Sequence, residues 1–506
     1  MFRRIISLIL AIALFSYLGC HDTAQLSRDT FIAQKPDGDI LLITKDAKFY
    51  KFYQHDYWMT SDSLKGSGTV TMNGHNEGFT GAIPLSDIDV VQIETVDGVK
   101  TVLCVLGIAA LAAVIVAAVA AAAFTSTLNS EAQHSCPFVY TFDGTAYHLE
   151  SETFSGAVLK GLERTSYDNL RLLKPVHGFY ELRLSNERPE TEYVNELKLI
   201  LVDHTKSVGV VPDLRGIVHT FSHPEMPTSC IDFGQVSRME EIMTKDGRCW
   251  ESDISTMDLR DSSHYKDGLI MEFAMPQNAR EAKLLVNGVN TPLADFAFQK
   301  LFQLKGDNKL LWYHELERNP SESGKFLSWM KRDGMLHVKV WNGKIWQERA
   351  ALIDVGPALA KDQVALLDIG DITGSTLKVK LECTTDLWRI DRVAIDYSPD
   401  LPVSVTELSP QSAITERGDD ITPLFLAADD QYDITVEGQH ANLTFKDIPL
   451  STGLERSYIL KTRGFYYQWF DTHGPANDLV VDRILTDFQF GAKQYLPQWK
   501  NMRLGK

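Results

Sequence analysis

Residues 101–124 read TVLCVLGIAALAAVIVAAVAAAAF, an apolar run without a charged side chain. At about 1.5 Å of rise per helical residue, it is long enough to cross a hydrocarbon core of about 30 Å. Ala and Val dominate it, with Leu103, Leu106, Ile108, Leu111 and Ile115 among them, and the polar face of a soluble helix of this length is missing. The run therefore predicts a membrane-inserting helix. It separates a small, turn-rich N-terminal part from a long, tryptophan-bearing C-terminal part.

Upstream of the run, residues 21–38 read as a polar tether and residues 39–99 as a small β domain. Ile40 to Thr44, Phe49 to Phe52, Thr69 to Met72, Phe79 to Ile83 and Val90 to Glu94 have strand patterns, and Asn73-Gly74 marks a tight turn. Pro84 to Ile88 offers one helical turn before the last strand. Five short strands in this layout predict a small SH3-like or Sm-like barrel, a likeness that implies no ligand.

Downstream, residues 125–135 form a Ser/Thr/Asn linker and residues 136–330 a β-rich domain. That domain opens with an aromatic hairpin at Asp143-Gly144, a pair that tolerates the positive φ of a type I′ turn. Within it, residues 292–304 carry the clearest amphipathic helix, with Leu293, Phe296, Phe298 and Leu301 as its apolar positions, and Ser321 to Met330 suggest a shorter one. Residues 335–400 hold evenly spaced strands, including the pair joined across Asn342-Gly343-Lys344 and the stretch from Trp388 to Tyr397. They resemble the jelly-roll β-sandwich modules that often carry carbohydrate-binding loops. Residues 401–506 add strands and the aromatic stretch Phe465-Tyr466-Tyr467-Gln468-Trp469-Phe470. The expected fold is thus mainly β: small barrel, one membrane-inserting helix, then a large sandwich region with a few helices.

A chain of 506 residues is too long for a single core, and a hydrophobic content of 44% with 23% charged residues is that of folded protein. The net charge of −17, without any Lys/Arg cluster, argues against nucleic acid as a partner. No dinucleotide fingerprint, phosphate loop or Gly-x-Ser-x-Gly motif is present, and no cofactor is expected.

The first twenty residues read as an export signal. Arg3 and Arg4 precede an apolar core, Ile5 to Tyr17, and then Leu18-Gly19-Cys20. An ordinary signal peptide or an uncleaved anchor shares the first two features. The ending resembles the bacterial lipoprotein signal, and that resemblance implies that residues 1–20 are the signal segment and that Cys20 carries the lipid. Over most of its length the chain also resembles a family of bacterial envelope proteins, on two motifs. These are Ile83-Pro84-Leu85-Ser86-Asp87-Ile88 before the apolar segment and Cys136-Pro137-x-x-Tyr140-x-Phe142-Asp143-Gly144-x-x-Tyr147 after it. The resemblance implies location and architecture and carries no activity. Lys100 precedes the apolar run and no Lys or Arg follows until Lys160, so the positive-inside tendency favours an extracytoplasmic C-terminal side.

Candidate sites are sparse. Cys230 and Cys249 could close one loop by a disulfide in an oxidising compartment, with two separate thiols as the alternative. His219 and His223 stand four apart, but the Glu beside the first His in zinc proteases is missing and Pro224 and Pro227 oppose a helix, so no metal is expected. Glu150 and Glu152 could pair as acid and base on one strand face, although carboxylates on an exposed strand are commonplace. Trp341, Trp346, Tyr466, Tyr467 and Trp469 could stack on sugar rings, although most large aromatics serve cores. The expected function is a non-catalytic binding or scaffolding lipoprotein of the cell envelope, with a hydrolase of envelope glycans or peptides as the alternative. Its expected partners are membrane lipid, an unidentified envelope protein or glycan, and a second copy through residues 101–124.

Overall fold

Apolar residues at alternate positions build the first unit, a seven-stranded antiparallel sheet. Its strands are β1 (His21–Ser27), β2 (Asp39–Thr44), β3 (Phe49–Phe52), β4 (Tyr57–Met59), β5 (Ser63–Met72), β6 (His75–Pro84) and β7 (Ile88–Val96). The computed structural model describes residues 21–27, 31, 39–44, 49–53, 56–72, 75–96, 137–468, 470, 472 and 474–505. Residues 1–20, read from sequence as a signal segment ending in Cys20, the apolar run 101–124, the expected linker 125–135, Cys136 and Trp469 lie outside them. Among the described residues, no helix is long and apolar enough to cross a membrane.

Ile40, Leu42, Phe52, Leu64, Ile83, Leu85, Ile88 and Val91 form the core of this unit, with Phe31 added from outside the sheet. The one-turn helix expected before the last strand is present at Leu85–Asp87. The expected barrel is not closed. His21–Ser27, read from sequence as tether, pairs with Val90–Val96 as strand β1. It takes the β7 edge through which the sheet would close, and β6 pairs with β5 alone.

The second unit, residues 131–506, is mainly β with several sheets. Its longest pairing joins β12 (Glu190–Thr205) to β27 (Leu454–Gln468), flanked by β10 (Arg164–Leu170), β23 (Ser404–Leu408) and β25 (Asp433–Thr435). A second sheet runs β24 (Ser412–Thr415), β26 (His440–Lys446), β11 (Phe179–Ser185), β8 (Phe138–Phe142) and β9 (Tyr147–Glu152). A third runs β15 (Ser229–Asp232), β16 (Lys266–Ala274), β21 (Thr376–Thr384), β18 (Leu336–Trp341) and β19 (Trp346–Leu352). The fourth is β20 (Lys361–Asp368), β17 (Glu281–Asn290) and β22 (Trp388–Asp396), and β13 (Gly209–Pro212) pairs with β14 (Val218–Phe221) as a hairpin.

These pairings cut across the boundaries expected at 330–335 and 400–401. β16 pairs with β21, and β11 pairs with β26, so the expected segments share sheets rather than standing as separate domains. A strand's own pattern shows which face is buried but not which distant strand will be its neighbour.

Besides a single turn at Met239–Ile242, the α-helices among the described residues are α1 (Leu293–Lys305), α2 (Lys309–Arg318), α3 (Pro320–Trp329), α4 (Asp478–Thr486) and α5 (Phe488–Arg503). Helices α1 and α3 fall where the apolar spacing placed them. The C-terminal region, read as strands and aromatics, ends instead in α4 and α5. Asn477 and Asp487 cap their N-termini through the N–H groups of Val480 and Phe490. Ala492, Tyr495, Leu496 and Trp499 then form the buried stripe of α5. The Val481-Asp482-Arg483-Ile484 segment is helical, whereas the similar Ile390-Asp391-Arg392-Val393 lies in β22, so the sequence echo marks no structural repeat.

Candidate functional site

A cavity of about 110 Å³ lies within the second unit, where the ends of β9 and β27 meet α1, α5 and the turn after α3. Its wall is largely apolar, from Val158, Leu293, Phe298, Trp329, Met335 and Leu387. Into this wall are set the carboxyl groups of Glu152, Asp295, Asp333 and Asp354, together with Arg164, Tyr466 and Gln468.

Glu152 ends β9 and is fully buried. Its Oε2 accepts the Ala358 N–H at 2.7 Å, and its carboxyl lies against the Cα of Gly356. A Cβ at 356 would fall 2.1 Å from that carboxyl, and the φ of +82° there is one that only glycine adopts freely. Asp354, just before it, accepts from the Ser155 hydroxyl and the Gly356 N–H, both at 2.7 Å. Arg164 donates to the carbonyls of Ser155 and Asp354, tying the segment after β9 to the segment after β19. Tyr466 holds the same segment from β27: its hydroxyl accepts the Gly156 N–H at 3.1 Å, and its own N–H donates to Ala157 at 2.9 Å.

Asp295 sits in the first turn of α1, where the helix dipole favours a carboxylate. Desolvation wins. Burial, reinforced by Asp354 and Glu152, pushes its carboxyl well above the usual range, and its Oδ2 has no hydrogen-bond partner among the described residues. Asp333 is also raised by burial, although Arg332 pairs with it at 2.5 Å. At the start of β12 lies Glu190, 1% exposed, its carboxyl raised first by burial and then by Glu192, Asp295 and Glu152. Gln468, also 1% exposed, completes the polar set: its amide faces the Asp295 carboxyl, which it draws down against burial, and neither end makes a closer hydrogen bond among the described residues. A buried amide short of its hydrogen bonds costs up to about 1–3 kcal/mol, so a group in this state in a cavity wall is suited to a ligand.

The residues singled out from sequence fare unequally. Glu152 and Tyr466 reach the cavity, but Glu150 does not pair with Glu152. The register of β9 slips between Leu149 and Ser151, leaving Glu150 as the extra residue of a bulge, so the alternation that would align the two is broken. Glu150 instead accepts from Thr141 at 2.5 Å and from the Arg171 N–H at 2.6 Å. Tyr467 packs against Tyr193 and Tyr313. Trp341 and Trp346 face each other across the β18–β19 hairpin at 5.5 Å, on a different sheet from β27, so the aromatics form no single platform.

Cys230 and Cys249 carry free thiols, the second of the two arrangements that the sequence leaves open. Cys230 is buried in β15, and Cys249 is turned to the Gly247 carbonyl of its own loop at 3.7 Å. His219 lies on strand β14, its Nδ1 at 2.8 Å from Asp400, and His223 contacts Ser222 beyond the strand end. Among the described residues no group of three or more His, Cys, Asp or Glu side chains could hold a metal ion.

Asp295, Asp354 and Gln468 were not singled out from sequence, yet two of them carried a signal. Asp295 stands three residues before Phe298 and seven before Phe302, a carboxyl on the apolar stripe of α1. Gln468 is the lone polar residue in an aromatic stretch and shares a strand face with Tyr466. The chain matches no protein-family model and no curated protein.

Proposed function

We propose that this chain is an envelope lipoprotein whose second unit binds a small molecule in the acid-lined cavity. The observation that carries the binding role is the Gln468 amide, buried in the cavity wall with the Asp295 carboxyl facing it and no closer hydrogen bond among the described residues. Concave, mostly apolar sites with a few convergent polar groups are the usual form of small-ligand sites. The location rests on Leu18-Gly19-Cys20, on the apolar run and on the two envelope-protein motifs. In this reading Cys20 carries acyl chains, residues 101–124 insert in the membrane and can contact a second copy, and the second unit lies outside the cytoplasm. The β15–β19 sheet and the β17 sheet are the facing layers of its jelly-roll-like sandwich. Alternate burial of Leu269, Met271 and Phe273 and of Leu377, Val379 and Leu381 supports that packing.

A hydrolase of envelope glycans or peptides is the second reading. It is favoured by one observation: Asp295 is held towards its protonated form beside Glu152 and Asp354, which accept main-chain N–H groups. Environments that separate neighbouring carboxyls in this way are how acid and base roles are assigned in glycosidases.

Mass spectrometry of the intact chain purified from envelopes tests the main reading. Under denaturing conditions the wild type should carry an acyl mass that Cys20→Ser lacks. Under native conditions a small bound adduct should disappear in Ala297→Leu, which fills the cavity. Masses that differ only by the exchange of sulfur for oxygen in Cys20→Ser would remove the lipoprotein assignment, and an adduct unaffected by Ala297→Leu would remove the cavity as its site.

A further inference from the structure

The charged groups of the cavity are served by the protein itself. Arg332 pairs with Asp333, and an Arg164 nitrogen donates to the Ser155 and Asp354 carbonyls. Lys361, which donates to the Glu152 carbonyl, pairs with Asp168 at 2.9 Å. Glu152 accepts the Ala358 N–H, and Asp354 accepts from the Ser155 hydroxyl and the Gly356 N–H. Asp295 faces the Gln468 amide, which draws its carboxyl down, as the charge of Arg188 does. Burial, with Asp354 and Glu152, outweighs both and holds Asp295 towards its neutral form. Each carboxyl of the wall thus has a donor within the protein, and none is left as a counter-ion for a ligand.

A charged ligand therefore meets no free opposite charge here. An ammonium or a carboxylate would give up its water against Val158, Leu293, Phe298, Met335 and Leu387, a loss that only a charged or hydrogen-bonding partner offsets. A sugar would leave most of its hydroxyls against the same side chains. The wall nevertheless holds an unmet donor. Trp329 closes α3, is 6% exposed and packs against Phe326 with ring centroids at 5.5 Å. Its Nε1 has no hydrogen-bond partner among the described residues. An indole N–H donates and cannot accept, so what it lacks is an acceptor. An uncharged oxygen supplies one without bringing a charge into the apolar wall. The volume suits a small ring, since an apolar cavity of roughly 150 Å³ takes a benzene molecule.

We infer that the cavity takes a neutral, compact apolar molecule that carries one hydrogen-bond acceptor, such as a small cyclic ketone or ester, with the acceptor met by the Trp329 indole N–H. The inference rests on the reading of the cavity as a binding site. It separates from that reading through probes built on one ring. Cyclopentanone is neutral with an acceptor, cyclopentene is neutral without one, and cyclopentylammonium and cyclopentanecarboxylate carry either sign of charge.

Binding of each to the full-length chain is measured by ligand-observed NMR. Cyclopentanone should bind at least ten times more tightly than either charged ring. Trp329→Phe should lower the ratio of cyclopentanone to cyclopentene affinity about fivefold, the loss of one neutral hydrogen bond. Ala297→Leu should abolish every signal, and thermal melts of each variant establish that it is folded. If a charged ring binds as well as cyclopentanone in the wild type, and Ala297→Leu still abolishes it, the inference of a neutral ligand is overturned and the cavity reading stands. If no probe binds, or none responds to Ala297→Leu, both fall. If the ratio is unchanged in Trp329→Phe, the assignment of the acceptor to Trp329 is overturned.

Discussion

Asp386 occupies the turn between β21 and β22 with a φ of 61°, a left-handed conformation that Asp and Asn tolerate better than most residues. Its side chain is fully buried, and its Oδ2 accepts from Trp499 Nε1 at 2.6 Å and from Arg503 Nε at 3.3 Å, fastening α5 to the sheet turn. Burial pushes the carboxyl up to about 6, against the pull of Trp499 and Arg503. Because the folded value lies above the unfolded one, the folded state holds a proton that the unfolded chain has released between about pH 4 and 6. Its stabilising contribution is complete below about pH 4 and is lost as the pH rises through 6, roughly 3 kcal/mol in all. Asp386→Asn keeps an acceptor for Trp499 and tolerates the turn, and it removes this dependence. In urea titrations the wild type should lose stability relative to Asp386→Asn between pH 4.5 and 7. Parallel profiles for the two proteins would show that the turn carboxyl does not titrate in this way.

At the scale of elements, the cavity depends on how the segment after β9 is pinned. Phe154 has a φ of 37° and is fully buried, with its ring over Gly464 of β27. Gly464 stands opposite Val194 at the bulge of β12, where Asn195 is the extra residue. A Cβ at 464 would lie 2.3 Å from the Tyr193 carbonyl and 2.7 Å from the Phe154 ring. Backbone cannot yield, so the ring and the segment that follows it must move. Gly464→Ala should cost on the order of 1–3 kcal/mol, as overpacking does. It should also speed amide hydrogen exchange in residues 153–158, the segment that carries Ser155 and Gly156 to the cavity. A variant with wild-type exchange there would mean that the ring does not hold the segment in place.

For the molecule as a whole, the same electrostatic sign recurs. Burial raises Asp295, Glu190 and Glu192, and Asp433 to about 7, so each weakens folding as the pH rises towards neutrality. Hydrogen bonds hold Asp143, Asp400 and Asp396 below the usual range, and Asp258 at about 2. That second set stabilises above about pH 4 and fails only as the pH falls through their lowered values. A fragment of residues 131–506 should therefore melt cooperatively, give a strand-dominated circular dichroism spectrum, and be most heat-stable between about pH 4 and 6. A melting temperature higher at pH 7.5 than at pH 5 would refute the electrostatic account, and a helix-dominated spectrum would refute the fold.

The chain's own pattern determined what local chemistry can encode. Period-two runs such as Phe179 to Leu184 and Leu377 to Leu381 announced strands, and the stripe Leu293, Phe298 and Leu301 announced α1, because pleat and helix impose those spacings on whichever residues are buried. Asn477 and Asp487 carried the start signals of α4 and α5, legible but outweighed by the aromatic stretch before them. Partner choice was decided elsewhere. That β1 would take the open edge of β7, that β16 would find β21, and that Glu150 would be squeezed out as a bulge are settled by pairing between distant segments. The cavity belongs to that second kind. Glu152, Asp295, Asp354 and Gln468 are separated by up to 316 positions, and no one stretch announces the others. Only tertiary packing brings their polar groups into one apolar wall, where the loss of water raises the cost of charging them.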